Sequence, residues 1–106
     1  MIKRDPRKVP KPLSNPAAGL IEDTIKHYRL TQVEVAEAMG VKASLLNAII
    51  KQKRGVSAEV ALRFEHCFGF SAQTLMKLQA EYDYRKAYHS KYKALSKEVK
   101  CLAQPA

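Results

Sequence analysis

The sequence predicts an all-α fold: five short helices around one core, followed by a basic helical extension. Three observations predict it. Apolar residues recur at three- and four-residue spacing in five separate segments, the period of an amphipathic helix. Four of these segments open on Asn, Ser or Thr and two close on Gly, which are helix start and stop signals. No stretch shows the strict alternation of a half-buried strand.

The elements follow in order along the chain. Residues 1–15 carry Pro6, Pro10 and Pro12 among Lys3, Arg4, Arg7, Lys8 and Lys11, and read as a basic, Pro-rich, disordered arm with little to bury. Asn15 is a good N-cap and Pro16 suits the first helical position. Leu20, Ile21, Thr24, Ile25 and Tyr28 then give a first helix over 16–28. Thr31 and Glu34 form a T-x-x-E capping box, so each can satisfy a backbone N–H at the start of helix two, 32–39. Val35, Ala36 and Met39 are its apolar face, and Gly40 stands where a left-handed residue ends a helix. In helix three, 43–51, Leu45, Leu46, Ile49 and Ile50 form the buried stripe. Ser57 caps helix four, whose inner face is Val60, Ala61, Phe64, Cys67 and Phe68, and Gly69 ends it. Ser71 opens helix five, with Leu75, Leu78 and Tyr82 on one side.

Beyond Tyr82 the pattern changes. Tyr84, Tyr88 and Tyr92 are spaced by four with Lys and Arg between them, so helix five is expected to continue to about residue 100. Two readings stay open. Leu75, Leu78, Tyr82, Tyr84 and Tyr88 form a dimer or partner interface, suited to amphipathic tyrosines. Alternatively, the tyrosines cover the domain's own core. The expected organisation is an arm (1–15), a helical domain (16–83) and a basic Tyr-rich extension with a frayed tail (84–106).

At 106 residues the chain is the size of one domain, and a hydrophobic fraction of 46% suffices for a core. No run of about 18 apolar residues offers a membrane span, and the basic N-terminus lacks the apolar stretch of a secretion signal. The expected location is the cytoplasm, with no membrane partner. Cys67 and Cys101 have no second Cys or His at metal spacing, so neither a zinc site nor a structural disulfide is expected. His27, His66 and His89 are scattered, and no Gly-rich phosphate loop or paired carboxylate site is present. No catalytic residue, metal ligand or cofactor is assigned, and the chain is not expected to be an enzyme.

Residues 30–57, LTQVEVAEAMGVKASLLNAIIKQKRGVS, carry the functional signal. They read as helix, tight turn, helix and basic exit loop, with a helix-turn-helix over 32–51. That layout places a second helix in the major groove of double-stranded DNA. The outer face of helix three is Ala43, Ser44, Asn47 and Ala48. These side chains are short, so the helix axis can come close to base edges. Asn47 is the best single base reader, because an amide can bond adenine through two hydrogen bonds. Ser44 is the second polar reader. Residues 42–54 hold Lys42, Lys51, Lys53 and Arg54 and no acid, whereas helices one and two carry Glu22, Asp23, Glu34 and Glu37. Positive charge thus gathers where phosphates would lie. The net charge of +9 is concentrated at the two ends: 1–15 has five basic residues against one acid, and 83–106 six against two. Basic ends on a near-neutral middle suit polyanion contact, and also serve solubility.

The same residues carry a family resemblance. LTQVEVAEAMGV resembles the first half of a lambda-repressor-like, Cro-type helix-turn-helix. NPAAGLIEDTI and LLNAIIKQKRGVSAEVALRFEHCFGFSAQTLMKLQAEYDYRKA are similar to antitoxins of the HigA type over about residues 15–87. The Leu78-Gln79-Ala80-Glu81-Tyr82-Asp83 ending is the specific part, since generic repressors lack it. The resemblance implies a homodimeric antitoxin. It would bind a palindromic operator, neutralise a small RelE-like (HigB-like) mRNA-cleaving toxin and repress its own operon. It also implies DNA-contacting roles for Gln32 at the start of helix two, for Lys42, Ala43, Ser44 and Asn47, and for Lys53 and Arg54. The alternative is a stand-alone repressor with no toxin partner, and a third reading is a bridging module without base readout. Four departures mark this chain. Asn15-Pro16-Ala17-Ala18 replaces the usual His-Pro-Gly-Glu-like entry motif. Lys42 stands where a Ser or Thr usually caps helix three. Lys51-Gln52 replaces Asn-Gly in the exit turn, and Leu75-Met76 replaces an aromatic pair.

Overall fold

The structure is a computed structural model in which residues 8–103 are described. Among the described residues there are five α-helices: α1 (Pro16–His27), α2 (Gln32–Met39), α3 (Ala43–Ile50), α4 (Ala58–Phe68) and α5 (Ala72–Glu98). No strand occurs among the described residues.

Helix starts are set by local chemistry. The side chains of Asn15, Thr31, Ser57 and Ser71 accept from the N–H groups of Ala17, Glu34, Val60 and Thr74. Thr31 and Glu34 complete the reciprocal capping box. At about 1 kcal/mol each, these caps fix where each helix begins. Glu65 adds a second hold on α5 by accepting from the N–H of Ala72 at 2.8 Å.

Helix ends follow one scheme three times. After α1, α2 and α3 a residue with positive φ (Arg29, 55°; Gly40, 74°; Gln52, 61°) turns the chain left-handed. The N–H after each of these residues bonds five residues back: Leu30 to Ile25, Val41 to Ala36 and Lys53 to Ala48. The left-handed residue itself bonds three back, the pattern of a Schellman motif. Gly40 has a second reason to be Gly. Arg63 of α4 donates from Nη1 to the Met39 carbonyl at 3.0 Å, and a Cβ on Gly40 would lie 2.9 Å from that nitrogen.

All five helices feed one core. Ala17, Ile21, Ile25, Val35, Ala36, Met39, Leu46, Ile49, Val56, Val60, Ala61, Phe64, Ala72 and Leu75 are buried together. Phe64 is fully buried and tilts against Phe68, with ring centroids 5.0 Å apart. α1 packs on α3 and α5, α2 on α3 and α4, and α4 on α5.

Two expectations are corrected. Residues 1–7 of the expected arm lie outside the described residues, and 8–15, although Leu13 is fully exposed, are anchored to the fold at two buried side chains. Val9 is 3% exposed, and its carbonyl accepts from Nε2 of His89 on α5. At the other end of this segment Asn15 is buried against Gln79, so the stretch runs back along α5. Leu75 is not available to an interface: it is fully buried, because its helical position turns it into the common core. Leu78 is partly buried against the same core.

α5 runs 27 residues, about 40 Å at 1.5 Å per residue. Its second half gives the molecule its long axis of 56 Å against 23 and 22 Å. There Tyr88 is buried and stacks on Tyr92 at 4.5 Å, while Tyr84 stays partly exposed. The tyrosines therefore split between covering and exposed positions. Leu95 and Val99 near the helix end are exposed. No described helix is long and apolar enough to cross a membrane.

Candidate nucleic-acid interface

The side chains that define this surface are placed from beneath. Leu46 and Ile49 are fully buried, which turns the opposite face of α3 outward. On that face Ala43 and Ser44 are exposed, and Asn47 and Ala48 are half-buried. The capping box fixes the first turn of α2, so Gln32 meets Asn47 across the turn. Asn47 Nδ2 donates to Gln32 Oε1 at 2.9 Å. Its second amide hydrogen and its Oδ1 make no hydrogen bond among the described residues.

Lys42 occupies the N-cap of α3 in extended conformation and makes no side-chain cap bond. The first N–H groups of α3 are left without a capping side chain, beside an exposed ammonium. That combination favours an anion. Past α3 the exit loop presents Lys51, Lys53 and Arg54, all exposed. Neither they nor Lys42 form an ion pair among the described residues. The recorded pairs, Lys26–Glu22, Arg63–Glu59 and Arg85–Glu81, lie on other helices. The predicted readers and cations therefore line one continuous stretch, from the start of α3 to its exit loop.

Three residues that sequence reasoning did not place here support this surface. Gln52 holds the left-handed position where Gly was expected, and its Oε1 accepts from the Asn15 N–H at 2.9 Å. Gln79 Oε1 accepts from Asn15 Nδ2 and from the Val56 N–H, both at 2.8 Å. Gln79 Nε2 donates to Asp83 Oδ1 at 2.8 Å. Gln79 and Asp83 belong to the Leu-Gln-Ala-x-Tyr-Asp ending, so that motif braces the exit loop from inside. Its signal in the sequence was Gln52 itself, a non-Gly residue in a turn that needs a reason to tolerate positive φ. Among the described residues no group of three or more His, Cys, Asp or Glu could hold a metal ion.

This arrangement has known counterparts. Residues 21–75, half the chain, match the family model described as Helix-turn-helix. The chain belongs to the helix-turn-helix family. Over 80 residues this helix-turn-helix protein is 34% identical to Virulence-associated protein I of Dichelobacter nodosus, covering 76% of this chain and 74% of that one. The Pseudomonas aeruginosa antitoxin HigA, solved with the higBA promoter, superposes with a TM-score of 0.74 at 31% identity. That match covers 85% of this chain and 98% of HigA. The antitoxin GraA superposes with a TM-score of 0.77 at 28% identity, covering 88% and 99%. The shared fold therefore extends well beyond residues 21–75.

Proposed function

We propose that this chain is an operator-binding antitoxin. As a homodimer it would insert α3 of each protomer into successive major grooves of a palindromic site, about 34–36 Å apart, and repress its own operon. Asn47 and Ser44 read base edges, with Gln32 orienting Asn47. Lys42, Lys51, Lys53 and Arg54 neutralise phosphates. The observation that carries the reading is the outer face of α3, where Ser44 and Asn47 stand among small alanines with exposed cations at both ends, on a fold shared with an antitoxin solved with its promoter.

The second half of the proposal is neutralisation of a small RelE-like, mRNA-cleaving toxin. An open cleft of about 340 Å³ supports it. The cleft is lined by Asp23, Thr24, His27, Tyr28, Phe68 and Phe70, none of them in α3 or the exit loop. It offers aromatic contact and a carboxylate to a basic partner without covering the DNA face. A repressor without a toxin is the second reading. It is favoured by one observation: Gln79 of the antitoxin-like ending is buried and engaged with Asn15, Val56 and Asp83 of this same chain.

Two experiments test the proposal. Footprinting on the DNA upstream of the coding sequence should show protected half-sites about one helical turn apart, and no protection would sink the operator reading. Inducing the neighbouring small reading frame should stop growth, with this protein restoring it. A harmless neighbour would leave only the repressor.

A further inference from the structure

We propose that Asn15 and Gln79 are positioning residues for the DNA-contacting exit loop. Buried away from the DNA face, they hold Lys53 and Arg54 where phosphates would meet them. The inference rests on the operator-binding reading above.

The exit loop leaves α3 at Lys51 and reaches the core again at Val56. Between these points Lys53 and Arg54 are exposed, and their own backbone bonds run only to the carbonyl of Ala48. What fixes the rest is a pin at each end. At the first, Gln52 Oε1 accepts from the Asn15 N–H. At the second, Gln79 Oε1 accepts from the Val56 N–H. The two pins are joined to each other, because Asn15 Nδ2 donates to that same Gln79 oxygen. The amide of Gln79 cannot turn over: Asp83 Oδ1 takes its Nε2, and a carboxylate only accepts. The loop backbone lies directly on this amide, since a Cβ on Gly55 would stand 2.9 Å from Gln79 Nε2. Asn15 and Gln79 are 2% and 4% exposed, so neither can touch DNA. The rival account is that the network only satisfies buried polar groups and stabilises the fold as a whole. The two accounts differ in whether losing the network acts through Lys53 and Arg54.

Asn15→Ser separates them. Serine keeps the cap on α1 and the backbone N–H to Gln52, adds no charge, and removes the Nδ2 donor. Fluorescence anisotropy on a labelled duplex of the DNA upstream of the coding sequence is followed across a salt series. Four proteins are compared: wild type, Asn15→Ser, Lys53→Gln with Arg54→Gln, and the triple variant. Each phosphate contact contributes about 0.9 to the slope of log affinity against log salt. The expected result is that Asn15→Ser lowers the slope by about 1–2, towards that of the Lys53/Arg54 variant. In the background lacking both cations it should change nothing further. Should Asn15→Ser fail to fold, Gly55→Ala carries the same expectation, because its methyl group displaces the loop from Gln79 without altering charge. A wild-type slope in the single variant overturns the proposal, as does an equal loss in both backgrounds. A wild-type protein that does not bind the duplex overturns both this proposal and the operator reading.

Discussion

Asn47 on α3 and Gln32, the first residue of α2, share a hydrogen bond of 2.9 Å from Nδ2 to Oε1. The bond links the outer face of one helix to the capped start of the other. It leaves Asn47 with Oδ1 and one amide hydrogen unengaged among the described residues, the groups that an adenine edge would need. On the proposed reading, Gln32 would act on base readout through Asn47.

The first prediction concerns this pair. Asn47→Ala should weaken operator binding by about 1–3 kcal/mol and relax the base preference at one position of each half-site. Gln32→Ala should relax the preference at that same position. The double variant should cost less than the sum, with a coupling of about 0.5–3 kcal/mol. Binding isotherms on the operator and on single-base variants measure all three. Strict additivity would mean the two amides act separately.

A second prediction follows from the left-handed residues that end α1 and α3. Arg29 is exposed and has φ 55°, and its side chain makes no hydrogen bond or ion pair among the described residues. A non-Gly residue in this conformation costs about 1–2 kcal/mol, offset in part by the greater unfolded-state entropy of Gly. Arg29→Gly should stabilise the fold by about 0.5–1 kcal/mol. Gln52→Gly should bring no such gain, because it relieves the same backbone but removes the bond to the Asn15 N–H. Urea denaturation of both variants checks the contrast. Equal stabilisation would show that the Gln52 side chain contributes nothing to the fold.

A third prediction concerns Gly40. Its φ of 74° and the guanidinium nitrogen that a Cβ would meet at 2.9 Å are separate obstacles to a side chain. Gly40→Ala should cost more than about 1 kcal/mol, the left-handed penalty alone. In an Arg63→Ala background the additional cost of Gly40→Ala should fall back towards that penalty. Thermal denaturation of the four proteins reads this directly. A Gly40→Ala cost that is the same in both backgrounds would show that Arg63 yields freely.

Which features were legible in the sequence follows from the range of the interactions. The capping box of Thr31 and Glu34 and the caps at Asn15, Ser57 and Ser71 join residues two or three apart, and each fell where the spacing placed it. The outward face of α3 was legible because Leu46 and Ile49 recur at helical spacing. The bond between Asn15 and Gln79 joins residues 64 apart. Nothing local marks either residue as buried, and a polar side chain reads as exposed until its partner is known. Val9 was missed for the same reason: one apolar residue among Lys and Pro gives no period, and α5 supplies the surface that buries it. Leu75 was assigned to the correct helix and the wrong neighbour. Periodicity tells which residues share a face but does not say whether that face meets the core or a second chain.

Lys42 supports a last prediction, in which stability and binding move in opposite directions. It sits at the N-cap of α3 with φ −68° and ψ 139°, the extended conformation from which a Ser hydroxyl would reach the helix N–H groups, yet it makes no cap bond. Lys42→Ser supplies that cap, and the protein should gain about 0.5–1 kcal/mol of stability. The same substitution removes an exposed cation beside the amino end of α3. Operator binding should lose about 0.9 from its salt slope and weaken most at low salt. A calorimetric melt and a salt titration on the same preparation measure both effects. A gain in stability with an unchanged slope would remove Lys42 from the phosphate contacts. A reduced slope with no gain in stability would mean that the first turn of α3 cannot accept a cap in this backbone.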